Sequence, residues 1–419
     1  MNTEEWDWET SEKCVAFKDW HQQFEWVEEP YVSPDGEIIA AIVNVGEGEF
    51  SICANGNIQE SSFEKIWRLR FTPDGRLTAL ASDAGEWTVT VDGAAWENRF
   101  SYVWNPLFSD DGHSIAVSFQ QDGQYGMALN DVPWEQTYMN LTDAFLSADG
   151  QHTAASVQMI AAGESEIHKF QAGTISAAVN GKAWDRNFVN VWGKAVSHDG
   201  ARVAAEVRLT LYDYTIAVNG VPWEKTYSSV WEPVFNPLSG KFIAPVRQDG
   251  KWMLVEEGQL LWRKPFHQLW HPQFSPDGKN LAAIVATEFG KWSVAINGQA
   301  WNIRIGELIT DMVFSPDGRK VAVVVKDNER WGIAVQDSVW KNTFDMVWKP
   351  VFSPDNTHIA AKVEKDGKYT IVMDDRIWPH TCDAAWDPVF HPEGELLLFR
   401  TIEDGVYRRR VIPIRGIWG

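Results

Sequence analysis

Short apolar runs separated by turn residues fill this chain from end to end, and they fall into a unit of about 40 residues. The stretch 331–372, WGIAVQDSVWKNTFDMVWKPVFSPDNTHIAAKVEKDGKYTIV, shows one period. WGIAV alternates apolar and polar positions and ends in a turn. VWKNTF follows that turn, and VWKPVFS runs into a Ser-Pro-Asp turn. HIAAKV comes next, and KDGK then leads to the following aromatic, Tyr369. Short β-branched and aromatic runs at even spacing, each bounded by Gly, Pro, Asn or Asp, predict an all-β array of four short strands per unit. The regular helical period that a solenoid of helix pairs needs is missing.

The plainest turns read FSPDGKNLAAIV (274–285), FSPDGRKVAVVV (314–325) and FSPDNTHIAAKV (352–363). Their closing residue recurs at Gly36, Gly75, Gly112, Gly150, Gly200, Gly240, Gly278, Gly318, Asn356 and Gly394. The steps are 39, 37, 38, 50, 40, 38, 40, 38 and 38 residues. A fixed period in this range means one supersecondary unit stacked on its copies. Pro pre-sets φ at the first central position of the turn, Asp caps the backbone locally, and Gly accepts a positive φ. The repeated Asp35, Asp74, Asp277 and Asp317 are therefore expected to be structural and not metal ligands. EF-hand spacing is absent.

Four strands in about 40 residues make a propeller blade. The fold class read from the sequence is an all-β propeller of about ten four-stranded blades in one domain spanning 1–419, most simply one continuous ring, with two five-bladed rings as the alternative. The N-terminal segment 1–29 is expected to supply a closing strand. WHQQFEWV (20–27) matches WENRFSYV (96–103), and the last unit finishes at Trp418 in the slot occupied by Trp elsewhere. A strand from each end in one blade would remove open sheet edges. The 50-residue step places an insertion loop at 156–172 in the fourth repeat. Such a loop on a rigid scaffold either carries contacts or is simply tolerated.

The 24 Trp fall mainly into three slots of the unit. The first opens a strand after an Asp-Gly-type turn: Trp87, Trp252, Trp292 and Trp331, with Tyr125, Tyr214, Tyr369 and Tyr407 as substitutes. The second follows the Asn-Gly turn: Trp96, Trp134, Trp184, Trp223, Trp262, Trp301, Trp340 and Trp378. A large flat ring suits the wedge between radiating sheets, so these eight are read as blade-packing residues. The third slot precedes the Pro of the inner strand: Trp67, Trp104, Trp192, Trp231, Trp270, Trp348 and Trp386. It lies at one end of the inner strands, near the expected channel mouth. These seven are candidate partner contacts as well as packing residues, because Trp is enriched among interface anchors.

Charge and chemistry narrow the function by exclusion. Asp plus Glu is 58 against 37 Lys plus Arg, a net charge of −21, which disfavours phosphate backbones and anionic lipid. The run Arg408-Arg409-Arg410 is the dense basic spot and is read as an exposed strand face. The acidic N-terminus lacks a signal-like apolar stretch, and Cys14, Cys53 and Cys382 are far apart and odd in number. A cytoplasmic location is the expectation. No Cys-x-x-Cys, haem motif, P-loop, Rossmann or Gly-x-Ser-x-Gly fingerprint is present. His267 and His271 are four apart but in a strand-turn region, and are read as surface. The inner-strand slots look mostly apolar and aromatic, so no acid–base pair stands out. Catalytic, cofactor-binding and metal residues are all expected to be none.

The pattern xxFSPDGxxIAxxV over 30–400 resembles the WD40-like propeller repeats of the TolB type, also called PD40 repeats. That resemblance implies fold and is nearly silent on function. The size, the Trp content and the repeated VNGxxW and VWxPVFSPDG strings (218–223 and 347–355) also resemble a narrower family. It comprises the Trp-rich cytoplasmic subunits of the Tmc transmembrane electron-transfer complex of sulfate-reducing bacteria. That resemblance implies a cofactor-free, non-catalytic accessory subunit, peripheral on the inner face of the membrane. Its partners would be an iron–sulfur subunit, a membrane cytochrome b and a periplasmic multihaem cytochrome, which would carry the electrons. Two further readings stay open: a general protein-interaction propeller unrelated to redox, and a channel-active enzyme acting on a peptide or sugar.

Overall fold

The computed structural model describes residues 3–161, 163 and 166–416. Trp418, the expected last member of the second slot, lies outside the described residues. Among them the chain forms ten antiparallel sheets in sequence order, a ten-bladed all-β propeller. Blade three shows the common plan: Tyr102–Phe108, Ile115–Gln121, Gln124–Leu129 and the two-residue Val132–Pro133. The second strand is the buried one, and Ile115, Ala116, Val117, Ser118 and Phe119 are all buried. Continuous apolar runs such as this mark strands covered on both faces. The fourth segment is shorter than its sequence suggested. It keeps a two-residue ladder, and a single bridge then ties the first-slot aromatic to a residue 13 later, as in Trp87↔Phe100 and Trp331↔Phe344.

By contact density the described chain divides into two units. The first holds 41–53 and 58–261, which includes blades two to six. The second holds 3–40, 54–57 and 262–416, which includes blades seven to ten. Both use the same devices. All ten closing turn residues, Asn356 included, have positive φ. In the second unit, Ser275 Oγ donates to Asp277 Oδ1 at 2.6 Å, and the amide of Lys279 donates to the same oxygen at 3.2 Å. The carboxyl of Asp277 is held down at about 2, first by the Ser275 hydroxyl. The turn carboxylates are thus occupied by their own backbone, as their spacing implied. A second device sits at the outer turns. Asn130 has φ 47 and accepts the amide of Ile115, and Asn297 has φ 48 and accepts the amide of Leu281. Asn tolerates this left-handed backbone better than most residues, which explains the repeated Asn-Gly string.

Three expectations change in the structure. The strand that completes blade ten is Glu12–Val15, paired antiparallel with Val406–Pro413, and not 20–27. Trp20–Gln23 is a single helical turn. Phe17, Trp20 and Phe24 are three and four residues apart, and all are buried, which helical spacing allows and strand alternation does not. Trp20, only 3% exposed, faces Gly56 as a second-slot Trp would, its Nε1 lying 3.8 Å from where a Cβ of Gly56 would be. The arginine run is not an exposed face either. Arg409 is 0% exposed; it donates to Asp35 O at 2.9 Å and pairs with Glu37 at 3.0 Å. Arg408 and Arg410 pair with Glu12 and Glu403. The acids on the N-terminal strand and on 396–403 neutralise a run that looks bare in one dimension. Finally, 156–172 is not one loop. Thr153–Gln158 is a strand, and Ile167–Ala172 is a short helix with Ile167 and Phe170 exposed.

Candidate functional site

The third-slot Trp residues all sit where the inner strand meets the second strand, and each packs against the first-slot aromatic of its own blade, stacked, tilted or edge-on. In the first unit the ring centroids are 4.6 Å apart for Trp67–Trp87, 6.0 Å for Trp104–Tyr125, 6.3 Å for Trp192–Tyr214 and 5.5 Å for Trp231–Trp252. In the second unit they are 4.4 Å for Trp270–Trp292, 5.6 Å for Trp348–Tyr369 and 6.0 Å for Trp386–Tyr407. The pairing has a simple cause. Antiparallel register places the start of the inner strand and the start of the third strand on either side of the end of the second, as in Tyr102↔Gln120 and Gln120↔Tyr125. Stacked and edge-on rings at this range add about 0.5–1.5 kcal/mol per pair beyond area burial. The rows are not fully covered. Trp67 is 46% exposed and Trp231 is 45% exposed, and the other five are half-buried.

Blades two and three go further. Trp87, Trp67, Tyr102, Trp104 and Tyr125 form an unbroken series of ring contacts at 4.6, 6.4, 5.8 and 6.0 Å. Tyr102 is exposed as well as Trp67. The second-slot rings behave differently, lying between successive blades. A Cβ at Gly181 would come within 3.1 Å of Trp134, at Gly220 within 3.1 Å of Trp184, and at Gly298 within 3.4 Å of Trp262. Trp134 Nε1 donates to Thr153 Oγ1 at 2.9 Å. Trp134, Trp262, Trp301 and Trp378 are buried, while Trp96, Trp184, Trp223 and Trp340 are half-buried.

The inner strand breaks its register just past the third slot. A bulge shifts the ladder between Trp67 and Arg70, between Trp104 and Leu107, and between Trp192 and Ala195. The residue after the Trp turns left-handed: Arg68 (φ 56), Asn105 (φ 55), Gly193 (φ 44) and, after Thr142, Asp143 (φ 51). Bulges re-aim side chains, so the sequence at this one position sets the local chemistry of each blade.

In blades four to six that chemistry is a charged cluster around a buried lysine, against the expectation of an apolar inner row. Lys194 has a 0% exposed side chain and forms an ion pair with Asp143, whose side chain is 43% exposed. Lys194 Nζ also donates to Ser156 Oγ at 2.9 Å, and that hydroxyl donates to Val191 O at 2.8 Å. Burial pushes the ammonium down from its ordinary value, and Asp143 opposes it. Burial pushes the Glu206 carboxyl up to about 8, helped by the nearby charges of Glu232 and Asp143. Gly193 is the hinge of the arrangement. A Cβ there would meet Glu206 Oε1 at 2.6 Å and Glu232 Cγ at 2.9 Å. A signal for this cluster was present in the repeat. VWGKAVS puts Gly-Lys where VWKPVFS has Lys-Pro, and AAEV puts Glu where AAIV has Ile. Departures from consensus at two facing slots of one blade mark a local polar network.

His267 and His271 are both exposed. Cys382 is buried, and its thiol is pushed up to about 12 by that burial. Cys53 is also buried, and Cys14 is exposed. Among the described residues no group of three or more His, Cys, Asp or Glu is arranged to hold a metal ion.

No family model matches the chain, and no curated protein does. Among solved structures it is similar to a crystal structure of the eukaryotic initiation factor, at 12% identity and TM-score 0.46, covering 78% of this chain and 89% of that one. It is also similar to a structure of the Dos1 propeller, at 12% identity and TM-score 0.37, covering 70% and 87%. At these values neither likeness bears on function.

Proposed function

We propose that the chain is a non-catalytic scaffold that docks protein partners through its third-slot aromatic face. The observation that carries this is the half-covered set of four Trp–aromatic pairs in the first unit, with Trp67 and Trp231 nearly half in water. Large rings left partly exposed in contiguous groups are the usual anchors of an interface. The charged cluster of blades four to six does not favour catalysis over this reading. Its lysine is wholly buried and held by Asp143 and Ser156, which makes it a strut between neighbouring strands. In its finer form, the proposal takes up the TolB-like repeat type and the Tmc resemblance. The chain would then be the cofactor-free accessory subunit of a membrane-associated electron-transfer complex, on its cytoplasmic side, with an iron–sulfur subunit and a cytochrome b as neighbours.

The test is a gentle-detergent purification of the tagged protein from its native cells, with an absorption spectrum of the eluate. Haem and iron–sulfur bands are expected with the wild-type chain, and their loss with Trp67→Ala/Trp231→Ala. A colourless single band from wild type would remove the redox form. Partners retained in full by the double variant would remove the aromatic face.

A further inference from the structure

The chain carries 58 acidic residues, yet one inner strand carries three cations. Lys65–Phe71, KIWRLRF, contains Lys65, Arg68 and Arg70 and no carboxylate. Arg68 is exposed, and among the described residues it has neither a hydrogen bond nor an ion pair. That is unusual for an arginine in a protein of net charge −21, where a carboxylate is the default neighbour. The half-buried Arg70 donates from Nη1 to Leu69 O at 2.9 Å. Both arginines line a pocket of about 420 Å³ whose remaining wall is Trp104, Asn105, Pro106 and Phe108. The pocket thus lies between the inner strands of blades two and three. The bulges at Arg68 and Asn105 bring those two left-handed residues to its rim.

We propose that this pocket binds a small organic anion, a flat ring carrying a carboxylate or a phosphate. The Arg68 guanidinium supplies a planar, forked donor that matches either oxyanion, and Arg70 adds a second positive charge beside it. The Trp104 indole and the Phe108 ring supply an apolar wall on which a flat body can lie, and the Asn105 amide adds a neutral polar group at the rim. The volume is at the small end of the usual range for ligand sites of about 300–1,000 Å³, so a single ring fits and a dinucleotide does not. At the corresponding positions elsewhere the other Lys or Arg is Lys349, and most of the rest are acidic. The residue after the third slot is acidic at Glu29, Asp143, Glu232, Asp311 and Asp387, where such a ligand would be repelled.

The experiment is ligand-observed saturation-transfer NMR on the full chain at low salt, with phenyl phosphate and benzoate as probes and benzyl alcohol as the neutral analogue. Both anions are expected to bind in the millimolar range and to outbind the alcohol by about ten-fold, since each charge-assisted contact is worth about that factor. Arg68→Ala/Arg70→Ala is expected to weaken both anions about ten-fold or more. Arg68→Lys/Arg70→Lys should retain part of the binding, because charge survives without the fork. Trp104→Phe keeps the wall and should change little. The proposal is overturned if neither anion binds, if benzyl alcohol binds equally well, or if the Ala/Ala variant, with an unchanged melting curve, binds as wild type does.

Discussion

In blade two the residue after the third-slot Trp is Arg68, exposed and beside an open pocket; in blade five it is Gly193, overlain by Glu206 and Glu232. The two strands hold equivalent places in the repeat and share the bulge and the Trp before it. The difference comes from the residue that follows and from what the second strand presents. Blade two has Leu80 opposite Trp67, so its inner end is apolar underneath, and Arg68 faces water. Blade five has Glu206 opposite Trp192, and Lys194 fills the Pro slot, so charge is drawn inward. A repeat can thus keep its backbone constant while neighbouring blades diverge in electrostatics. The cost of burying charge is met by local pairing and not by any change of fold.

Breaking the buried side should have the largest effect. Lys194→Ala leaves Asp143 without its cation and Ser156 without its donor, and is expected to cost about 2–4 kcal/mol in chemical denaturation. Lys194→Met with Glu206→Val restores the apolar consensus and is expected to recover most of that loss, because well-packed apolar pairs often equal buried ionic ones. A double variant no better than the single one would mean the cluster does more than hold blades.

The pH dependence sharpens the same contrast. The folded carboxyl of Glu206 lies at about 8, above the ordinary 4.5, so the neutral form stabilises the fold. That contribution is fully present below about 4.5 and is lost as pH rises through 8, where Glu232 and Asp143 repel the new charge and Lys194 only partly offsets it. Stability is expected to fall by about 2–3 kcal/mol between pH 5 and 9, and Glu206→Gln should flatten that slope. At the acid end the turn carboxylate of Asp277 acts with the opposite sign. Asp277 is held at about 2, so its contribution is present above its ordinary value and is lost as pH falls toward 2.

The exposed side should respond least in stability. Trp67→Ala loses its contact with Trp87 but little buried area, and about 1 kcal/mol is expected in thermal unfolding. Arg68→Ala, at an exposed site without a partner, should stay within about 0.5 kcal/mol of wild type by the same measurement. A large loss from Arg68→Ala would show that the basic strand is structural after all and would remove the contrast with blade five.

The sequence by itself determined the ten blades, their four strands and the positive-φ turns, because period, apolar runs and turn chemistry are local and repeat ten times. It also placed the Trp slots in register. Only the tertiary structure decided what each copy does with that register. Trp20 takes a blade-packing place from a helical turn, which matching 20–27 to a strand concealed. Arg409 is buried because Asp35, Glu37 and Glu12–Val15, hundreds of residues away, close over it. Asp143, Lys194, Glu206 and Glu232 lie on four different strands or bends, so their meeting is invisible to spacing along the chain. Backbone geometry is a property of each unit alone; burial and pairing of charge belong to neighbours, and neighbours are set by packing.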